Sequence, residues 1–365
     1  MSEVSLLDLV NLTTGKLNSN AAVSDGKYPF FTCSVETYAI NSFSFDTEAL
    51  LLAGNNAEGN FSLKYYNGKF DAYQRTYVLT LEDEKTTTYK YIFYSLKTRL
   101  AELKNNSAGS ATRFLTLSIL KDIKIQLPPL PEQKAIADVL SALDDKIDLL
   151  QRQNETLEKM AETLFRQWFI EEAKEDWEEL PLSAIATFTN GLACQKFPPK
   201  NGEIGLPVLK IKELTSGITV SSDRATAEVK SECIVHHGDV IFAWSASLMV
   251  KIWSGETCVL NQHLFNVQSE QFPKWFYYEW CKYYLREFIA IANSHATTMG
   301  HIKRNDLDEA MVNIPSEFEL LEMNKIMIPN LNRIILNLKQ IQTLQSLRDI
   351  LLPKLMSGEV RVKLD

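Results

Sequence analysis

The longest patterned apolar run begins at Ile136 and continues through Leu140, Leu143, Ile147, Leu150, Asn154, Leu157, Ala161, Leu164 and Trp168. The spacing alternates four and three, and no proline or glycine falls between Pro131 and Pro181. Such heptads predict a long helix with an apolar seam that needs a partner. Pro131 suits its first turn, and Glu132 suits the positive helix N-terminus. A helix of about 38 residues would run roughly 57 Å, which argues against the alternative of a core helix in one ordinary domain. Asn154 is the one polar seam residue, of the kind that fixes register at some cost in stability. A second segment, 317–352, carries Leu331, Ile334, Leu338, Ile341, Leu344, Leu347 and Leu351 in a less regular seam. It is expected to be interrupted at Pro329 and to stop near Pro353. Each seam is the other's nearest candidate partner, which suggests an antiparallel coiled coil.

Ahead of each long helix the pattern is shorter and mixed. Strand-like runs occur at Tyr28–Cys33, Ala49–Leu52 and Tyr73–Leu81, with a helix at about Thr87–Leu103. A polar loop, 105–112, then leads to a strand at Ile123–Leu127, ended by Pro128-Pro129. In the second half Val208–Ile211, Val240–Ala243 and Cys258–Val267 read as strands. Trp275–Ala292 reads as an aromatic helix, followed by the polar loop 293–298. The halves register on each other: residues 68–164 lie over 255–351 without a gap, at an offset of 187. Gly68 falls on Gly255, Tyr91 on Tyr278, Arg99 on Arg286, Pro128 on Pro315 and Ile147 on Ile334. Leu182–Gly191 likewise echoes Leu6–Gly15. Identity is low, so the unbroken register carries the inference. The expected fold is α+β, with two mixed α/β modules (1–127 and 177–315) separated by two helical segments (128–176 and 316–365) in a pseudo-twofold internal repeat.

Charge alters this picture little. The formal net charge is −8, but twelve acidic and six basic residues within 131–176 account for most of it. The lysines and arginines elsewhere remain able to gather on one face, so the overall sign does not exclude a nucleic-acid partner. The five cysteines are scattered and never form Cys-x-x-Cys, which fits reduced thiols and a cytoplasmic location. No apolar run of membrane-spanning length and no secretory leader is expected.

Catalytic motifs are sparse. No glycine-rich phosphate loop, dinucleotide fingerprint or Asn-Pro-Pro-aromatic box occurs, so no cofactor is expected. His236-His237 precedes Gly238-Asp239 and reads as a turn rather than a metal site. Asp144-Asp145 and Glu171-Glu172 are expected to be solvated helix carboxylates with nothing nearby to perturb them.

The segment Ile125-Gln126-Leu127-Pro128-Pro129-Leu130-Pro131-Glu132-Gln133-Lys134-Ala135-Ile136-Ala137, with the ending Leu352-Pro353-Lys354-Leu355-Met356-Ser357-Gly358-Glu359-Val360, resembles type I restriction–modification specificity subunits. The resemblance covers the whole chain. It implies two target-recognition domains, each reading half of a bipartite double-stranded DNA site, with spacer helices setting their separation. It further implies docking of methyltransferase subunits, two in number, and association with restriction/translocase subunits, which would carry the chemistry. The second copy departs from the pattern: Pro315-Ser316-Glu317-Phe318-Glu319 lacks Glu-Gln, although Glu319 aligns with Glu132.

Reading DNA calls for amide, hydroxyl and guanidinium groups on accessible loops. One pair of regions is an expected strand containing Gln74 and Arg75 in the first module and Gln262 and His263 in the second. A buried structural amide fits Gln74 and Gln262 equally well. The other pair is the loop ending at Thr112 and Arg113, and the stretch containing His295, Thr297, Thr298, His301, Lys303 and Arg304, suited to phosphates. Asn55, Asn56, Lys64, Lys196, Lys210 and Lys212 are additional candidates. Two other readings compete: a coiled-coil scaffold without DNA readout, and half of an enzyme that has lost its catalytic domain. Divergent loops on a shared frame favour the DNA reader.

Overall fold

The unbroken apolar stretch Ala49–Ala53 is buried on both faces, which places its strand inside a sheet rather than at an edge. This computed structural model describes residues 2–56, 61–106, 114–200, 202–295 and 300–363. The chain divides into two compact units, residues 1–146 with 345–365, and residues 147–344.

In the first unit the order is β1 (Ser2–Ser5), β2 (Val10–Thr14), β3 (Tyr28–Phe31), β4 (Tyr38–Ile40), β5 (Phe45–Ala53), β6 (Leu63–Ala72) and β7 (Thr76–Leu81). Then come α1 (Tyr89–Asn106), α2 (Leu117–Asp122), β8 (Lys124–Leu127) and the start of α3 (Leu130–Arg166). Six strands form one sheet in the order β2-β7-β5-β6-β3-β4, while β1 pairs antiparallel with β8. Leu50, Leu52 and Leu79 meet Tyr91, Ile92 and Leu96 of α1 in the core, together with Ile136, Leu140, Leu355 and Met356 from the long helices.

The second unit contains β9 (Glu178–Pro181), α4 (Leu182–Ile185), β10 (Thr187–Asn190), β11 (Leu206–Leu209), α5 (Ile211–Ser216), β12 (Arg224–Ala225) and β13 (Ile234–Val235). It continues through β14 (Val240–Ala243), β15 (Met249–Ile252), β16 (Cys258–Leu260), β17 (Leu264–Gln268), α6 (Lys274–His295), α7 (Arg304–Glu309), β18 (Met311–Ile314) and most of α8 (Glu317–Ser357). The order β10-β17-β14-β15 repeats β2-β7-β5-β6 of the first unit. Where β6 is one strand, the second unit has two, β15 and β16. As β3 runs parallel to the end of β6, so β11 runs parallel to β16.

The expected strand Cys258–Val267 is thus two strands, and Tyr73–Leu81 becomes strand only at Thr76; in both cases a tight turn precedes the final strand. The short helices α2 and α7 have no counterpart in the expected elements. The second long helix also differs from expectation, for α8 passes through Pro329 and continues through Pro353 to Ser357. A proline inside a helix removes one N–H bond and costs about 3 kcal/mol. Pro329 faces solvent, whereas Met327, Asn330, Leu331 and Ile334 are buried, so packing of the opposite face offsets the loss.

The seam of α3 falls largely as the heptads predict: Ile136, Leu140, Ile147, Leu150, Asn154 and Ala161 are buried, with Leu143, Leu157 and Leu164 partly so. Near its end burial favours Phe165 over Leu164, because a straight helix drifts against a seven-residue repeat, and in the π-helical turn Gln167–Glu171 that follows it favours Phe169 over Trp168. Phe169 packs against Trp177, Trp275, Phe276 and Trp280. Within the second unit Ile147 and Leu150 of α3 cluster with Ile341 and Leu344 of α8. Further along α3, Asn154 accepts from Asn337 at 2.9 Å, and the Leu157 carbonyl accepts from Asn330 at 3.2 Å. Numbers rise on one helix as they fall on the other, so the two run antiparallel there.

Each long helix is fixed at its start, but differently. Gln133, fully buried, accepts from Thr87 Oγ1 at 2.8 Å and donates to the Thr86 and Pro128 carbonyls at 3.0 and 2.9 Å. In the second unit Glu319 accepts from the Ser316 backbone N–H at 3.0 Å and hydroxyl at 2.6 Å, from Trp177 Nε1 at 3.0 Å, and from Lys174. Ser316 and Glu319 form a capping box.

Candidate nucleic-acid interface

A three-residue turn before the last sheet strand sits on the same hydrogen-bond frame in both units. In the first, Tyr73 N–H donates to Phe31 O at 2.9 Å, Gln74 N–H to Leu17 O at 2.9 Å, and Gly54 N–H to Arg75 O at 2.8 Å. In the second, Asn261 N–H donates to Leu209 O at 3.0 Å, Gln262 N–H to Leu192 O at 2.8 Å, and Trp244 N–H to His263 O at 3.3 Å. Behind each turn lies a glycine with no room for a side chain. A Cβ on Gly15 would stand 1.9 Å from Ala72 O, and one on Gly191 would stand 2.2 Å from Asn261 O.

A third segment completes the frame. Leu115 N–H donates to Gly54 O at 2.9 Å, and Ile302 N–H to Trp244 O at 3.1 Å. Bridges join Asn55 to Phe114 and Ser245 to His301. Each unit therefore gathers a turn (73–75 or 261–263), the segment after a central strand (54–56 or 244–246), and the residues leading into α2 or α7. These are connecting segments on a rigid sheet, the usual place for recognition groups.

The side chains on this frame differ. In the first unit Gln74 is exposed and donates to Asn18 Oδ1 at 3.0 Å, Arg75 is exposed, and Phe114 is 55% exposed. In the second unit Trp244 lies between two histidines, its ring 6.0 Å from that of His263 and 6.3 Å from that of His301. Its Nε1 donates to Asn190 Oδ1 at 3.2 Å, while Ser245 Oγ and His263 Nδ1 are 3.0 Å apart. Ala246, with φ of 59°, is the one described non-glycine residue in the left-handed region, and its N–H donates to Gly300 O. This backbone is uncommon for alanine and exposes the loop tip.

The frame brings together Asn55, Asn56, Gln74 and Arg75 in the first unit and, separately, Gln262, His263, His301 and Lys303 in the second. Neither glutamine is the buried amide that sequence allowed: Gln74 is exposed, and Gln262 is partly so with its Nε2 3.4 Å from His263 Nε2. Arg304 is anchored, donating to Phe188 O at 3.1 Å. Lys64 is likewise committed, donating to Glu36 O at 2.5 Å and Thr37 Oγ1 at 3.2 Å; burial draws its pKa down while Glu36 opposes that. Lys210 pairs with Asp223. Lys196 and Lys212 are exposed on other segments. Thr112, Arg113, Thr297 and Thr298 lie outside the described residues; His295 ends α6, and its side chain is not described. Sequence reasoning missed Trp244, Ser245 and Asn190; an aromatic followed by Ser-Ala-Ser after an apolar run was the available signal.

Elsewhere the chemistry is structural. His237 places its ring nitrogens 3.1 Å from the Ser254 and Ile335 carbonyls, and His236 N–H donates to Asp239, the turn expected there. No metal-binding group of His, Cys, Asp or Glu occurs among the described residues. Cys194, Cys233, Cys258 and Cys281 are buried free thiols whose pKa values burial raises, that of Cys194 to about 11. Asp144 departs from the solvated carboxylate expected: it accepts from Arg348 Nη1 at 2.8 Å and Tyr94 OH at 2.9 Å, with Lys97 at 3.6 Å. Burial pushes its pKa up, but these three partners outweigh that and leave it lowered. No described helix is long and apolar enough to cross a membrane.

Residues 1–159 and 174–346 match the family described as type I restriction modification DNA specificity domain. The chain is 44% identical over 140 residues to the Escherichia coli type I restriction enzyme EcoDI specificity subunit, an alignment spanning 38% of this chain and 30% of that protein. It is 29% identical over 310 residues to the MjaIX specificity subunit of Methanocaldococcus jannaschii, spanning 77% of this chain and 71% of that one. In fold it is similar to the type I restriction–modification S subunit from M. genitalium, with a TM-score of 0.65 at 17% identity, covering 100% of this chain and 96% of that one.

Proposed function

The chain belongs to the type I restriction modification DNA specificity family, and from that membership we propose that each unit reads one half of a bipartite double-stranded DNA site. One observation carries the proposal: two turns held by matching backbone bonds present different side chains at their tips, Arg75 in the first unit and His263 in the second. A shared frame with divergent surfaces suits a reader of two sequences. A scaffold that only joins proteins would have no use for the divergence.

In this reading, target-recognition domains at 1–127 and 177–315 form a pseudo-twofold repeat. The helical segments 128–176 and 316–365 form an antiparallel coiled coil that sets half-site spacing and docks two methyltransferase subunits. Restriction/translocase subunits join that cytoplasmic complex, and the specificity chain performs none of the chemistry. Phosphate contacts from Lys303 and neighbouring cations supply affinity, while the side chains at the tips of the two turns supply sequence.

The test is to map methylated adenines across the genome of cells carrying this chain with its methyltransferase subunits. The expected motif is two short specific blocks separated by a fixed unspecific gap. A continuous motif, or no sequence-specific methylation, would overturn the proposal. One heptad inserted at Asn154 and matched at Asn337 is expected to lengthen the gap and leave both blocks unchanged.

A further inference from the structure

We propose that Arg75 and His263 occupy the same base-reading position in the two units, and that the glutamine preceding each belongs to the frame. This deepens the DNA-reading function above and rests on it. A gapless offset of 187 would pair Arg75 with Gln262. The backbone bonds correct that pairing. The carbonyl accepting from Gly54 is that of Arg75, and the carbonyl accepting from Trp244 is that of His263. The N–H groups reaching back to Leu17 and Leu192 belong to Gln74 and Gln262. Gln74 therefore corresponds to Gln262, and Arg75 to His263.

The paired residues have different freedom. Each glutamine is tied through its backbone to the strand behind it, and the amide of Gln74 is also engaged by Asn18. The side chain of Arg75 is exposed and forms no hydrogen bond or ion pair among the described residues, while its carbonyl is fixed. The close approach at Gly15 and Gly191 keeps both turns from retreating. This is a fixed base with an interchangeable tip.

The chemistry of the tips then assigns preferences. A guanidinium presents two coplanar N–H groups that match O6 and N7 of guanine in the major groove. The imidazole of His263, oriented by Ser245 on Nδ1 and by the Trp244 ring, offers a base edge at most its Nε2, which Gln262 Nε2 approaches to 3.4 Å. The first unit should demand a guanine at this position, and the second should discriminate less there.

The test uses the full chain in complex with its methyltransferase subunits and compares methylated motifs. R75A is expected to relax one base position in one half-site by roughly tenfold or more, with the other half-site and the gap unchanged. H263R is expected to move one position of the other half-site towards guanine, and Q74A to leave the motif unchanged. R75H, which keeps a polar tip, should abolish the guanine preference even if R75A proves unstable. The assignment is overturned if R75A lowers methylation at all sequences alike, the mark of a phosphate contact, or if H263R leaves both half-sites unchanged. Absence of a bipartite motif in the unmodified complex would instead remove the DNA-reading function itself.

Discussion

The first unit fixes the start of its long helix from inside, and the second fixes its own from outside. Gln133 is sealed in the core and uses an uncharged amide against three partners. Glu319, at the aligned position of Glu132, works nearer the surface with a charge, a capping serine, a lysine and an indole. The contrast continues along the helices. In the first unit the polar seam contact is ionic, Asp144 with Arg348, and in the second it is an amide pair, Asn154 with Asn337. Two copies of one layout have met the same geometric demand with different chemistry, so they should fail under different conditions.

The largest effect is expected from Gln133→Leu. It strands the Thr87 hydroxyl and the Thr86 and Pro128 carbonyls, and a buried group without a partner costs about 1–3 kcal/mol. We expect a loss of roughly 3 kcal/mol, read as a lower denaturant midpoint with exchange protection falling first at the start of α3. The start of α8 should instead respond to acid. The Lys174 hydrogen bond, followed by those from Ser316, holds the Glu319 carboxyl down at about 2. A depressed acid contributes its stability above its unfolded pKa and loses it as pH falls through the folded one. Exchange protection at the first turn of α8 should therefore fall between pH 4.5 and about 2, in a window where Gln133 does not titrate. Equal acid sensitivity at the two helix starts would break the comparison.

The seam pairs come next. Arg348→Met leaves Asp144 half-buried with only Lys97 and Tyr94, and should cost about 2 kcal/mol. Because the pKa of Asp144 is lowered overall, its contribution is present above its unfolded value and lost on acidification. Without Arg348, acid unfolding of the first unit should set in at higher pH. Asn337→Leu removes the donor to Asn154 and should cost about 1 kcal/mol at any pH. The Asn154→Leu/Asn337→Leu pair should recover that loss or exceed it, since seam asparagines specify register at the expense of stability. Denaturant titrations at neutral and acid pH measure all of these. A double leucine variant weaker than the single would mean that the amide pair holds the helices together.

These differences also explain what sequence could and could not reveal. The first long helix was legible because apolar residues fill its seam with Asn154 the lone exception. The seam of α8 is irregular in sequence because Asn330, Asn337 and Arg348 stand where apolar residues are sought, each with a partner that only the folded chain supplies. Pro329 reads as a break because a local rule cannot weigh the packing of the opposite face. At the interface, Gln74, Arg75, Gln262 and His263 are visible as residue types but fall within expected strands, since aromatic and β-branched residues surround them. The offset of 187 holds from Phe114 and His301 through β8 and β18. Nearer the sheet centre it slips, because the second unit is shorter on both sides of the turn: the link from its central strand to the next is 244–248, against 54–62 in the first.

The smallest expected effects separate stability from recognition at one frame position. Thr116 and Lys303 both stand at the N-cap of a short helix, one step beyond Leu115 and Ile302 of the frame. The Thr116 hydroxyl accepts from Ile119 N–H at 3.4 Å, so Thr116→Ala should cost about 1 kcal/mol. In the second unit the capping contact comes from Asp306, which accepts from the Lys303 backbone N–H at 2.6 Å and leaves the exposed lysine side chain out of the cap. Lys303→Ala should therefore leave stability unchanged, weaken binding to all DNA sequences by a few fold, and reduce the slope of log affinity against log salt by about 1. Arg304→Ala should do the reverse, since its guanidinium is anchored to Phe188 O. If Lys303→Ala lowered the melting temperature and left the salt slope intact, its ammonium would belong to the frame, and the phosphate contact would have to come from another cation.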